Sequence, residues 1–109
     1  MNCTKEELLE KIKEAYAKTG LKVCFGDYFT EDNLCACPVG AVHCAATESR
    51  TYWFMSSVAK NTFAKLFNVN QEWVNNFIHG IDGTGNYGGR NLEESYKYGQ
   101  YIRKQLGAN

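Results

Sequence analysis

Apolar residues recur at helical spacing in five stretches of the chain. In the first, Leu8, Leu9, Ile12, Ala15 and Tyr16 step by three and four residues, the period of a single helix face. Thr4 and Glu7 have the spacing of a capping box, and Gly20 is a natural stop. Glu7 with Lys11 and Glu14 with Lys18 are spaced for ion pairs one turn apart. A helix over 4–19 follows. The next segment changes period. Leu21, Val23 and Phe25 alternate with Lys22 and Cys24, and Gly26-Asp27 suits a tight turn into Tyr28-Phe29. A short β-hairpin near 21–30 fits these letters, and so does an ordered loop.

Pro38 suits the first position of a second helix, 38–47, with Cys37 as its cap. Gly40, Ala41, Ala45 and Ala46 give that helix a thin surface that a neighbour can approach closely. Ser57 is placed to cap a third helix, 57–67, which turns Ala59, Phe63, Leu66 and Phe67 inward and ends at Asn68. Asn70 caps a fourth, 71–79, with Val69 and Val74 as a hydrophobic staple. Its stripe is Val74, Phe77 and Ile78, and Gly80 closes it. A glycine-rich loop runs from Gly80 to Gly89. Asn91 and Glu94 form a second capping box, and Leu92, Tyr96, Gly99, Ile102 and Leu106 line one face of a last helix, 91–106. The fold expected is mainly α: a single domain, residues 1–109, of about five helices.

Composition narrows the function. Twelve Lys and Arg balance twelve Asp and Glu among 109 residues, which removes the strong electrostatic case for nonspecific binding to nucleic acid or a membrane. Aromatic residues make up 14%, a surplus that serves a core and often a contact surface. No stretch is long and apolar enough to span a bilayer, and the opening residues lack the pattern of a signal peptide. The expected location is the cytoplasm, with reduced thiols.

The segment Cys35-Ala36-Cys37-Pro38-Val39-Gly40-Ala41-Val42-His43-Cys44 concentrates three of the five cysteines. A zinc or iron–sulfur site from Cys24, Cys35, Cys37 and Cys44 is the obvious chemical reading, but the spacing lacks the paired ligands of structural zinc. A helix from Pro38 also sets Cys37 and Cys44 roughly 10 Å apart, too far to share a metal or a disulfide. Cys24, Cys35 and Cys37 remain as weaker metal candidates, and no cofactor is expected. Cys37, at a helix amino terminus, is the candidate for a reactive thiol if its cap is exposed. The alternative is that the cysteines act as small core residues, with His43 satisfied or half-exposed. No complete catalytic set stands out, so an enzyme is the less favoured reading.

Residues 62–80 resemble a helix-turn-helix. Ala64 matches the small residue of its first helix, Asn68-Val69 its turn, and Val74 and Phe77 its apolar anchors. The resemblance implies DNA reading by Asn70, Gln71, Asn75 and Asn76, with His79 beside them, since amide side chains can read adenine edges. The second helix carries Glu72 and no Lys or Arg, which opposes phosphate contact. In the glycine loop, Gly83-Thr84-Gly85-Asn86-Tyr87-Gly88 has dinucleotide-motif letters without the preceding strand, and read as a calcium loop it has too few carboxylates. Backbone amides around Asn91 are a candidate anion site.

Three stretches, Cys37-Pro38-Val39-Gly40-Ala41, Phe77-Ile78-His79-Gly80-Ile81-Asp82-Gly83 and Tyr96-Lys97-Tyr98-Gly99, are together similar to small uncharacterised bacterial and phage proteins. The resemblance carries no activity. It implies that the three stretches belong to one framework, with Gly99 facing Gly40 and Ala41. The expectation for function is a small cytosolic binding protein, its partner a protein or a small ligand. The alternatives are a helix-turn-helix regulator and a thiol- or metal-dependent protein.

Overall fold

The structure is a computed structural model and describes residues 1–26, 34–48, 55–83 and 94–107. Among the described residues, five helices and two short strands follow in the order α1 (Lys5–Thr19), β1 (Lys22–Val23), β2 (Cys35–Ala36), α2 (Pro38–Thr47), α3 (Met55–Phe67), α4 (Gln71–Asp82) and α5 (Glu94–Gly107). The mainly α architecture is the one the periodicity predicts.

α1 starts at its capping box. The Thr4 hydroxyl accepts from the Glu7 amide at 3.1 Å, and the Glu7 carboxylate accepts from the Thr4 amide at 2.9 Å. These two bonds satisfy two of the orphan amides at a helix start. The Thr4 backbone amide, and after it the Thr4 hydroxyl, hold the Glu7 carboxyl below its usual pKa. Gly20 ends the helix in the left-handed region, φ 72°, where glycine lacks the penalty that a Cβ brings. α2 begins at Pro38, as expected, and runs to Thr47.

Two boundaries depart from the sequence reading. α3 begins at Met55, so Ser57 lies inside the helix rather than at its cap. α4 continues through Gly80 to Asp82, and Gly83, with φ 69°, is its cap. The glycine that periodicity placed at the end of α4 is instead a packing residue within it. α5 begins at Glu94. Tyr28, Phe29 and Asn91, with the proposed hairpin turn and the proposed anion site, lie outside the described residues.

β1 pairs with β2 in parallel, Lys22 opposite Cys35 and Val23 opposite Ala36. This short ladder joins β1 to a strand that starts twelve residues after its end, directly before α2. Pro38, lacking an N–H, cannot continue the ladder.

The core is continuous. Leu8, Ile12, Val39, Ala59, Phe63, Val74, Phe77 and Ile102 are at 0% exposure. An aromatic cluster joins three helices. Phe63 stacks on Phe77 with centroids 5.1 Å apart, and Trp73 stacks on Phe77 at 5.5 Å. The Tyr98 ring meets Trp73 edge-on, also at 5.5 Å. Much of the aromatic surplus among the described residues therefore serves the interior.

α4 and α5 cross at Gly80 and Gly99. A Cβ added to Gly99 would lie 2.1 Å from the Phe77 carbonyl oxygen, and one added to Gly80 would lie 2.2 Å from that of Tyr96. The backbones touch, which only glycine at both positions allows. Gly99 thus faces Gly80, and the expected partners Gly40 and Ala41 are replaced. The Arg103 guanidinium closes this end by donating to the Ile81 carbonyl at 2.8 Å while lying over the Phe25 ring at 4.1 Å.

Candidate functional site

An open cleft of about 540 Å³ lies between α1, α2 and the end of α3. One wall is the polar side of α1, carrying Glu7, Lys11, Glu14 and Lys18, with Ala15 below them. The opposite wall is α2, through Val42, Ala45 and Ala46. Leu66 and Phe67 of α3, with Asn2 and Cys3 of the amino-terminal segment, close the end. The result is an apolar floor under a rim bearing both signs of charge.

Each wall is held by a polar tie. Asn2 donates its backbone N–H to the Phe67 carbonyl at 3.2 Å and its side-chain amide to that of Leu66 at 3.1 Å. It thereby satisfies two of the carbonyls that a helix end leaves open. The Lys18 ammonium donates to the Ala45 carbonyl at 2.8 Å, a cation at the carboxyl end of α2. This contact, and the use of Glu7 in the capping box, give those side chains roles other than the ion pairs their spacing suggested. His43, 3% exposed, joins α2 to α3: its Nδ1 lies 2.9 Å from the Thr62 hydroxyl and its Nε2 3.4 Å from that of Thr47. Burial holds its pKa below the ordinary histidine value. It is a satisfied core histidine.

Leu66 departs from expectation. Periodicity set it on the buried face of α3, yet it is 48% exposed. It lies at the edge of the stripe formed by Ala59, Phe63 and Phe67, which are buried. The sequence reading missed Leu66 and the lysines and glutamates of the rim. Only the width of the apolar stripe on α3 offered a signal. Cys3 is half-buried in the same cleft, and burial followed by the Glu7 charge raises its pKa, against the opposing pull of Lys11.

The cysteine segment resolves differently from its candidate chemistry. Cys37 caps α2 with φ −72° and ψ 166°, but it is 7% exposed. Burial pushes its thiol up to about 12, and the facing amides of Val39 and Gly40 do not offset this. Desolvation therefore outweighs the helix dipole, and the exposed cap on which the reactive-thiol reading depends is not found at Cys37. Cys44 is buried as well. No disulfide joins any of the five, and among the described residues no three His, Cys, Asp or Glu side chains form a group able to hold a metal. Tyr16 donates its hydroxyl at 2.7 Å to the carbonyl of Ala36, the residue between Cys35 and Cys37 in sequence. Burial raises the pKa of this phenol, and the charges of Cys37, Cys24 and Cys35 add to the effect.

α3 and α4 are joined by a three-residue turn in which Asn68 takes a left-handed conformation, φ 53°. That is the place where a helix-turn-helix usually has glycine. The proposed readers are not presented together. Asn76 is 4% exposed and sits inside the protein, which corrects its placement on the outer face. Asn70 spends its carboxamide oxygen on the Trp73 amide at 2.8 Å. Gln71 donates to the Asn61 side chain, and Asn75 is half-buried. The outward side of α4 carries Glu72, with half-buried His79 and Asp82 further along, a poor surface for phosphate.

The three stretches likened to bacterial and phage proteins do meet in space. Cys37, Ile78, Ile81 and Asp82 line one small cavity with Gly26, and Gly80 touches Gly99. Comparison with protein-family models, with curated proteins and with solved structures finds no match to this chain. Among the described residues no helix is long and apolar enough to cross a membrane.

Proposed function

We propose that this chain is a small cytosolic binding protein, without catalysis, whose contact site is the cleft between α1, α2 and the end of α3. The observation that carries the reading is the exposed Leu66 set at the end of an apolar floor. A leucine half in water at a concave site contributes more when a ligand covers it. The volume of about 540 Å³ suits a small ligand or a few side chains of a protein segment. The glutamates and lysines of the rim favour an occupant with an apolar body and polar or charged ends. The likeness of three short stretches to small bacterial and phage proteins fits an accessory role of this kind.

Native mass spectrometry of the protein purified from its own cell tests this. The expected result is a bound ligand or protein that is lost in Ala45→Trp, a substitution that fills the cleft, while the circular dichroism of the variant stays that of the wild type. Bare wild-type protein, or an adduct that persists in Ala45→Trp, overturns it.

A further inference from the structure

The parallel ladder places two cysteines opposite one another. Lys22 pairs with Cys35 and Val23 with Ala36, so the next step sets Cys24 opposite Cys37. The hydrogen bonds follow the same step. Lys22 donates to the Leu34 carbonyl at 2.9 Å, and two residues on Cys24 donates to that of Ala36 at 3.1 Å. Opposed residues of neighbouring strands project to one face with backbones about 4.8 Å apart. That is inside the Cα separation a disulfide needs. The other pairing open to Cys24 is worse. Cys35 lies two residues back along the strand, and the diagonal of a strand ladder is roughly 8 Å, beyond disulfide reach without backbone movement.

We propose that Cys24 and Cys37 are a redox modification site: a dithiol that closes to an intramolecular disulfide on exposure to a small-molecule disulfide of the glutathione class. The two thiols divide the work by exposure. Cys24 is half-buried and reachable, whereas Cys37 is buried. The Cys24 thiolate attacks one sulfur of oxidised glutathione, its proton going to solvent, and one glutathione thiolate leaves. Cys37 then loses its proton and attacks the Cys24 sulfur of the mixed disulfide, expelling the second glutathione thiolate. Two protein thiols are oxidised to one disulfide, and one glutathione disulfide is reduced to two thiols. Burial lowers the thiolate fraction of Cys37, and its attack relies on being intramolecular, with the mixed disulfide held opposite it. The bond welds β1 to the first turn of α2, the helix that forms one wall of the cleft.

The test treats the reduced full-length protein with oxidised glutathione, blocks remaining thiols with N-ethylmaleimide and maps a non-reduced digest by mass spectrometry. The expected product, out of ten possible pairings, is a Cys24–Cys37 crosslink lacking two hydrogens. Cys37→Ser is expected to accumulate glutathione on Cys24, and Cys35→Ser to crosslink as the wild type does. In Cys24→Ser, which alters the more exposed partner, Cys37 is expected to stay unmodified. The preference for Cys24–Cys37 is expected to vanish in concentrated urea. A dominant Cys24–Cys35 bond, lasting glutathione on wild-type Cys24, no modification at all, or the same preference in urea overturns the proposal.

Discussion

Small residues do opposite things at the two sides of this molecule. Where α4 crosses α5, Gly80 and Gly99 remove the Cβ atoms between two helices, and backbone meets backbone. Where α2 faces α1, Ala45 and Ala46 leave space that nothing fills, and a cleft of about 540 Å³ results. The difference lies in what stands opposite. Gly80 meets another glycine, whereas the alanines face the long charged side chains of Lys11, Glu14 and Lys18, which cannot enter an apolar gap without desolvating their charges. One side is closed by the absence of side chains, and the other is kept open by their polarity.

The largest test of this contrast is Gly99→Ala. The added Cβ would lie 2.1 Å from a backbone oxygen and 2.9 Å from a backbone nitrogen. Neither atom can give way as a flexible side chain does, so the helices must separate. Overpacking costs typically 1–3 kcal/mol and more where nothing can relax, and about 3 kcal/mol or more is expected here. Urea midpoints check it. A Gly99→Ala protein with the wild-type midpoint would mean that the crossing is not closed by contact.

That crossing also shows how far the sequence could be read. Helices α1 and α2 were legible because their signals are local: a capping box, a proline at the first position, and a glycine stop. Gly80 was misread as a helix stop because the letter is the same for both uses. Only the presence of Gly99 opposite, nineteen residues on, makes it a packing residue. Leu66 failed for a related reason: periodicity gives the angle of a residue on its helix but not whether a neighbour extends far enough to cover it. Cys37 was placed correctly at the start of α2, but its reactivity was set by burial, which is a tertiary quantity. The cleft was illegible altogether, since its walls come from three helices and the amino-terminal segment.

The open side depends on its polar ties, and Thr4→Ala weakens one of them. It removes the hydroxyl that accepts from the Glu7 amide and leaves the Glu7 carboxylate held by the Thr4 backbone amide alone. Loss of a threonine cap typically costs about 1 kcal/mol, and urea denaturation should show a loss of that order, with no change in the α4–α5 crossing. Amide exchange would locate it. Faster exchange confined to the first turn of α1 is the expected pattern, and equal acceleration in α5 would show that the two sides are not separable.

His43 ties the other wall, and its effect depends on pH. Burial lowers its folded pKa below the unfolded value of about 6.5. The unfolded chain therefore takes up the proton first as pH falls. Its contribution is present in full above about pH 6.5 and is lost as pH falls from there through the folded pKa. Comparing the urea midpoint of the wild type with that of His43→Gln from pH 8 to pH 5 isolates this part. The difference between the two should narrow on acidification. A constant difference would mean that the imidazole titrates normally and is not enclosed between α2 and α3.

The smallest effect expected is also the sharpest test of the openness of the cleft. Ala45→Leu adds three carbons to a half-buried position on the α2 wall. At a packed site such a change overfills the interior and costs roughly 1–3 kcal/mol. At the cleft the added carbons enter unoccupied space beside Leu66 and Ala15, and the change should stay within about 0.5 kcal/mol of the wild type. The same class of substitution, small to larger on a helix face, would then differ by several-fold in cost between Gly99 and Ala45. A destabilisation at Ala45 approaching that at Gly99 would mean that the α1–α2 wall closes in solution and that the contrast between the two sides does not exist. Near-neutrality at Ala45 with a large loss at Gly99 would instead place the strain-free space of the molecule where a ligand can use it. The half-exposed Leu66 would then be the apolar contact that such a ligand covers.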